Sequence, residues 1–237
     1  MGGSILGNRV LRKEDPKFLT TGGVYVDDLL VEPALVGALH VTYVRSTVAH
    51  GIITSIDTSD AASMPGIIAV FTGKDLGLEF VPSAYNPAAT RTLLATDKVR
   101  FVGEPIVAII SETREEGEDA VDAVIIDYDV LPALIDLEEA MSSSTLLYEA
   151  CGSNVVFDSM VLGLPDNTGD AYFADCEVVA KGRFINQRVA PCPLEVRGAA
   201  ASWGTDGRLT QWLSTQHAQG AVAPIAAANG VDAAQIH

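Results

Sequence analysis

Carboxylates dominate the reactive side chains of this 237-residue chain, which holds 31 Asp and Glu, 15 Lys and Arg, four His and three Cys. An acid–base pair needs two carboxyls that converge on one point. The conspicuous pairs, Asp27-Asp28, Glu115-Glu116 and Glu138-Glu139, are adjacent in sequence, which turns them to opposite faces of a strand and roughly 100° apart on a helix. They read as solvated charge. Glu104 stands between Gly103 and Pro105; it could aim a carboxylate into a cleft, but a bulge or strand-end residue bonded locally is the expected role. His50 follows an apolar run and precedes Gly51. With no Cys or carboxylate at ligand spacing it is expected to be structural, an interface position alongside Arg45 being the alternative. Cys151, Cys176 and Cys192 are odd in number and far apart, which speaks against a disulfide framework and a Cys-x-x-Cys metal site. Iron–sulfur clusters ordinarily take four thiolates, so any cluster working with this chain must come from a partner.

The elements that would position these groups alternate between strand and helix. Ala38 to Val44 carries β-branched and aromatic residues and predicts a strand, as do Ile52 to Asp57 and Ile67 to Phe71. Between the last two, Thr58 or Ser59 can cap a short helix that Pro65-Gly66 ends. Residues 73–96, rich in Gly, Pro, Ser and Asn, predict an extended loop. Val99 to Ile110 is the clearest strand, with a bulge or break forced at Gly103-Glu104-Pro105. Thr113 caps a helix whose start holds Glu115, Glu116 and Glu118, and Ile125 to Tyr128 returns as strand. The stretch from Leu137 to Thr168 reads as connecting, with loop chemistry at Gly163-Leu164-Pro165-Asp166-Asn167. Beyond it Cys176 to Phe184 predicts a long strand, and Ala199–Trp203 with Leu209–Ser214 predicts a hairpin around Gly204-Thr205-Asp206-Gly207. The Ala-rich run from His217 to Asn229 predicts a helix stopped by Gly230, with Pro224 either kinking it or in its first turn. An apolar strand is expected to begin at Ile236. This is a mixed α+β pattern, and a doubly wound nucleotide-binding fold is disfavoured.

A net charge of −16 argues for solubility and against a nucleic-acid partner, which would need clustered cations. Arg9, Arg12, Lys13 and Lys17 are mixed with Glu14 and Asp15 and read as a solvated or partner-facing arm. No apolar run is long enough to cross a bilayer and no secretory signal is visible, so a cytoplasmic location is the expectation.

Four stretches, in this order and spacing, resemble the large subunit of the xanthine dehydrogenase, aldehyde oxidase and aerobic carbon monoxide dehydrogenase family. They are Gly22-Gly23-Val24-Tyr25-Val26-Asp27-Asp28, Arg45-Ser46-Thr47-Val48-Ala49-His50, Val102-Gly103-Glu104-Pro105-Ile106-Val107-Ala108 and Leu213-Ser214-Thr215-Gln216. Asn186-Gln187-Arg188-Val189-Ala190-Pro191-Cys192-Pro193-Leu194-Glu195 is most similar to the carbon monoxide dehydrogenase-like branch.

The resemblance implies an N-terminal arm over residues 1–18, an α/β-hammerhead domain over 19–130, a linker over 131–148 and the start of a molybdopterin-binding domain over 149–237. It implies a molybdenum hydroxylase taking its oxygen from water, with a molybdenum–molybdopterin cofactor, in the cytosine dinucleotide form, in the complete subunit. It also implies [2Fe–2S] clusters on a small subunit and FAD on a medium one, in a dimer of heterotrimers acting on a small molecule. One site residue carries over. Gln216 matches a position the family places at the molybdenum, where a glutamine amide donates to an oxo ligand without adding charge; the alternative is a strand-end Gln bonded to backbone. The glycine-rich cofactor loop, the pterin-binding loops and the general-base glutamate are expected beyond His237, and Cys192 stands in the wrong motif to serve as the cysteine of carbon monoxide dehydrogenases. No catalytic residue is therefore expected in this segment. The chain reads as a truncated part of the subunit, or as a naturally separate structural half of a split one.

Overall fold

A computed structural model of the chain describes residues 7, 11–20, 22–157 and 170–237. Contacts divide the chain into two compact units, Leu39–Arg183 and the described residues of Met1–Ala38 with Phe184–His237. Arg9 of the expected arm and the expected loop Gly163–Asn167 lie outside the described residues. The helix α1 (Asp15–Thr20) is exposed, with Arg12 and Asp15 paired at 3.7 Å. Two 3-10 turns follow, Val26–Val31 and Pro33–Leu35.

The unit Leu39–Arg183 opens with β1 (His40–Arg45) and β2 (Gly51–Asp57). After them come α2 (Ser59–Ala62), β3 (Ile67–Thr72), and the two-residue strands β4 (Val81–Pro82), β5 (Thr90–Arg91) and β6 (Lys98–Val99). The unit continues through β7 (Pro105–Ser111), α3 (Arg114–Val121), β8 (Ile125–Val130) and α4 (Leu137–Ser142). One antiparallel sheet has the order β1-β7-β3 and another β6-β2-β8. β7 is central, which is why Ile106 to Ile110 is an unbroken apolar run: Ile106, Val107 and Ile109 have no exposed surface. They meet Val44, Ala61, Val99 and Ala120 in one core.

The helix α3 begins where local chemistry demands it. Thr113 Oγ1 accepts the Glu116 N–H at 3.3 Å while the Glu116 carboxylate accepts the Thr113 N–H at 3.0 Å, a reciprocal capping box. It packs on β1 and β7 through Gly117, where a β-carbon would lie 2.6 Å from Thr42 Oγ1 and 2.7 Å from Ser111 Oγ.

Three expectations need correction. Val99 to Ile110 is two strands in two different sheets, because Gly103, at φ 90°, turns the chain out of β6 before β7 begins. The loop 73–96 contains the small β4–β5 ladder. Cys176 to Phe184 forms no strand: it has the alternation, but no neighbouring chain among the described residues pairs with it, and its side chains are exposed. A strand's hydrogen bonds belong to its neighbours, so pattern alone does not create one.

The second unit is built on β9 (Ala199–Trp203) and β10 (Leu209–Leu213), paired antiparallel from Leu209↔Trp203 to Leu213↔Ala199 as expected. The turn between them closes through Gly204 N–H to the Arg208 carbonyl at 2.8 Å, with Gly207 at φ 78°. The Pro33–Leu35 turn packs against β9, and Val26 N–H donates to Glu195 Oε1 at 3.3 Å. Then α5 (Ala218–Asn229) runs to Gly230 at φ 64°, with Pro224 in its interior. No helix among the described residues is long and apolar enough to cross a membrane.

Candidate functional site

Ser214 sets the geometry around Gln216. Its hydroxyl oxygen accepts the Gly198 N–H at 2.6 Å and its own N–H donates to the Gly198 carbonyl at 3.1 Å, so the open end of the β9–β10 hairpin is stitched shut. The chain leaves that stitch as Thr215-Gln216. Thr215 Oγ1 then accepts the His217 N–H at 3.2 Å, a side-chain turn that brings the backbone round into α5. Gln216 sits on the bend, exposed, between the end of β10 and the start of α5.

The electrostatics there are uniform. α5 carries no charged side chain, its first turn has no acidic residue, and no side chain caps it. Its unpaired first N–H groups form a partial positive end next to the Gln216 amide. Gly220 leaves the space that the His217 ring occupies. Beside the bend, Gln211, Leu213, Thr215, Val222 and Ile225 border a hollow of about 320 Å³. Among the described residues no group of three or more His, Cys, Asp or Glu could hold a metal ion. The bend and the start of α5 thus present uncharged hydrogen-bond groups.

The remaining candidates, most of them in the unit Leu39–Arg183, do local work. Glu104, 3% exposed, accepts the Arg100 N–H at 2.6 Å and lends its own carbonyl to Ser46 N–H. Burial pushes its carboxyl above the ordinary range, against the pull of the Arg100 N–H. His50, 2% exposed, contacts the Pro132 carbonyl through Nδ1 at 2.9 Å, so Nδ1 carries the proton, and its carbonyl accepts the Leu131 N–H. It fastens the exit of β8. Of the paired carboxylates, Asp28 accepts the Tyr25 N–H, Glu116 completes the box of α3, and Glu138 meets Arg183 at 2.9 Å. In the other unit Glu195 Oε1 accepts the Val26 N–H.

A cluster that the pattern reading missed binds the connector. Lys98 Nζ meets Glu149 Oε1 at 2.6 Å and the Leu146 carbonyl at 3.0 Å. Arg100 Nε donates to the Leu147 carbonyl at 3.1 Å, and its guanidinium lies 5.0 Å over the Tyr148 ring. The signal was the spacing: two cations two residues apart on an extended stretch share one face.

Residues 20–132 match the aldehyde oxidase and xanthine dehydrogenase a/b hammerhead domain, and residues 148–237 match the molybdopterin cofactor-binding domain. The nicotine 6-hydroxylase large subunit of Paenarthrobacter nicotinovorans is 36% identical over 230 residues, which are 90% of this chain and 26% of that protein. The carbon monoxide dehydrogenase large chain of Hydrogenophaga pseudoflava is 34% identical, over 88% of this chain and 27% of its own length. Among solved structures, quinoline 2-oxidoreductase from Pseudomonas putida 86 superposes with a TM-score of 0.80 at 30% identity, covering 99% of this chain and 30% of that one. The chain spans about a quarter of the length of the curated relatives it matches.

Proposed function

The chain belongs to the aldehyde oxidase and xanthine dehydrogenase family, and we propose that it serves as the N-terminal part of the molybdenum-bearing subunit of a hydroxylase. Residues 19–130 act as the α/β-hammerhead domain, 131–148 as the connector and 149–237 as the opening of the molybdopterin-binding domain. One observation carries the reading: similarity runs through both units, over 90% of the chain, to a protein named as the large subunit of a hydroxylase.

The residues at the β10–α5 bend fit the molybdenum–molybdopterin cofactor as surroundings rather than as ligands. Gln216 is exposed there, Ser214 fixes the backbone behind it, and the uncapped start of α5 suits a negatively charged group. When bound, the cofactor, in its cytosine dinucleotide form, supplies the redox chemistry by which a small substrate is hydroxylated with oxygen from water. Gln216 would help hold the bound cofactor through its amide N–H, without adding charge. The assembly is heteromeric, in keeping with relatives named large subunit and large chain. A small subunit carries [2Fe–2S] clusters and a medium one FAD, and two such trimers pair, in the cytoplasm.

Gln216→Ala in the assembled enzyme tests the site. Loss of one such contact typically lowers metal content or turnover about 10- to 100-fold. Unchanged molybdenum content and unchanged turnover would remove Gln216 from the site.

A further inference from the structure

The connector, residues 131–148, is fastened at both ends. At its start the buried His50 accepts the Leu131 N–H through its carbonyl at 2.9 Å, and its ring Nδ1 meets the Pro132 carbonyl at 2.9 Å. At its end Lys98 Nζ meets the Leu146 carbonyl and the Glu149 carboxylate, while Arg100 Nε meets the Leu147 carbonyl with its guanidinium over the Tyr148 ring. Asn154 then closes the stretch on itself. Its Nδ2 donates to the Ala140 carbonyl at 3.0 Å and to the Thr145 carbonyl at 2.8 Å, and its Oδ1 accepts the Leu147 N–H at 3.0 Å.

Donating twice and accepting once from one short side chain calls for an amide. An aspartate there would set a carboxylate against two carbonyl oxygens. The bonds of Asn154 and of the two cations meet at Leu147, whose N–H goes to Asn154 and whose carbonyl goes to Arg100. The cations depend on this arrangement in turn: their side chains are 7% and 8% exposed, and the Leu146 and Leu147 carbonyls supply acceptors where little water reaches. Groups linked in this way are expected to open together.

The match to the hammerhead family ends at residue 132, and the match to the cofactor-binding family begins at 148. Lys98 and Arg100 therefore belong to the first, and Tyr148, Glu149 and Asn154 to the second, yet all five lie in one compact unit. We propose that Asn154, Lys98 and Arg100 are positioning residues for the cofactor. They form a clasp that fixes where the chain leaves for the rest of the cofactor-binding domain, so that retention of molybdenum depends on the clasp being shut. Each acts through the backbone it holds between Ala140 and Glu149. The proposal rests on the reading of the chain as part of a molybdenum-bearing subunit.

Asn154→Asp and Lys98→Met in the assembled enzyme test it, separately and together. Hydrogen–deuterium exchange at single amides reads the clasp at Leu147 and the core at β7, and metal analysis during dialysis reads the loss of molybdenum. Each variant is expected to speed Leu147 exchange by about tenfold or more, to leave the β7 amides at native rates and to lose molybdenum several-fold faster than the native enzyme. The double variant should lose it hardly faster than either single one, because a clasp already open has nothing more to release. Independent contributions would add, and additive losses overturn the proposal. So do an unchanged Leu147 rate, native molybdenum retention beside a fast Leu147 amide, or β7 amides that speed along with Leu147. A native enzyme that holds no molybdenum overturns the functional reading itself, whereas equal retention in the native and variant enzymes overturns this proposal alone.

Discussion

Lys98 and Arg100 place positive charge where little water reaches, with side chains 7% and 8% exposed. Buried cations cost stability unless paired, and here Lys98 pairs with Glu149, just past the connector, and Arg100 with Asp97 at 3.9 Å. The Lys98 hydrogen bond holds the Glu149 carboxyl below its ordinary value of 4.5, against a desolvation that pushes it up. A depressed folded-state value means that the contact stabilises at neutral pH and is lost as pH falls through that value. Glu149→Gln should therefore lower the melting temperature at pH 7, with the difference from the native chain shrinking as the pH drops below 4.5. A difference that stays constant down to pH 3 would show that charge on Glu149 is not what matters. Lys98→Met should leave the core intact, because the replacement is apolar and Glu149, 70% exposed, is rehydrated. It should nevertheless speed proteolytic cleavage of the chain between Ser143 and Gly152.

The helix α3 shows how an element is fixed from both ends of the argument. Its start is local: Thr113→Ala removes the cap and should cost about 1 kcal/mol in urea denaturation. Its docking is not. Gly117→Ala gains about 1 kcal/mol in helix propensity, but the new methyl meets the buried Thr42 and Ser111 at 2.6 and 2.7 Å. Crowding of that kind typically costs about 1–3 kcal/mol, so net destabilisation is expected. A stabilised Gly117→Ala variant would mean that α3 rides farther from the sheet. The cap at Thr113 was readable from the sequence, while the reciprocal bond from the Glu116 carboxylate came with the structure. The close approach at Gly117 was not readable, because Thr42 and Ser111 reach it from two strands that pair only in the folded sheet.

At the scale of the molecule, the unit Leu39–Arg183 holds a core gathered around β7, and its residues expressed separately should melt in one cooperative transition followed by circular dichroism. A broad, non-cooperative melt would show that it depends on the rest of the chain. The three cysteines are unpaired, with Cys176 and Cys192 exposed. Three thiols are too few for an ordinary iron–sulfur cluster. The purified 237-residue chain should accordingly show no visible iron–sulfur absorbance, and a stoichiometric 2Fe signal in it would overturn the assignment of the clusters to a partner.

What sequence alone determined here is whatever short-range chemistry encodes. Turn residues at Gly204–Gly207, the cap at Thr113 and the stop at Gly230 each act within a few positions, so the hairpin, α3 and α5 were legible, and the ordered motifs from Gly22 to Gln216 were enough to imply the family. Tertiary structure decided the rest, since strand pairing and burial are made between distant residues. The apolar run around Val99–Ile110 became two strands because the two ends find different partners, Gly51–Ile52 for one and β1 with β3 for the other. Cys176–Phe184 has a strand's alternation but no neighbour to bond. Glu195 reaches Val26, and Lys98 reaches Glu149, across 169 and 51 positions. No local pattern records such contacts, because the energy that selects them exists only once the chain has brought both partners out of water together.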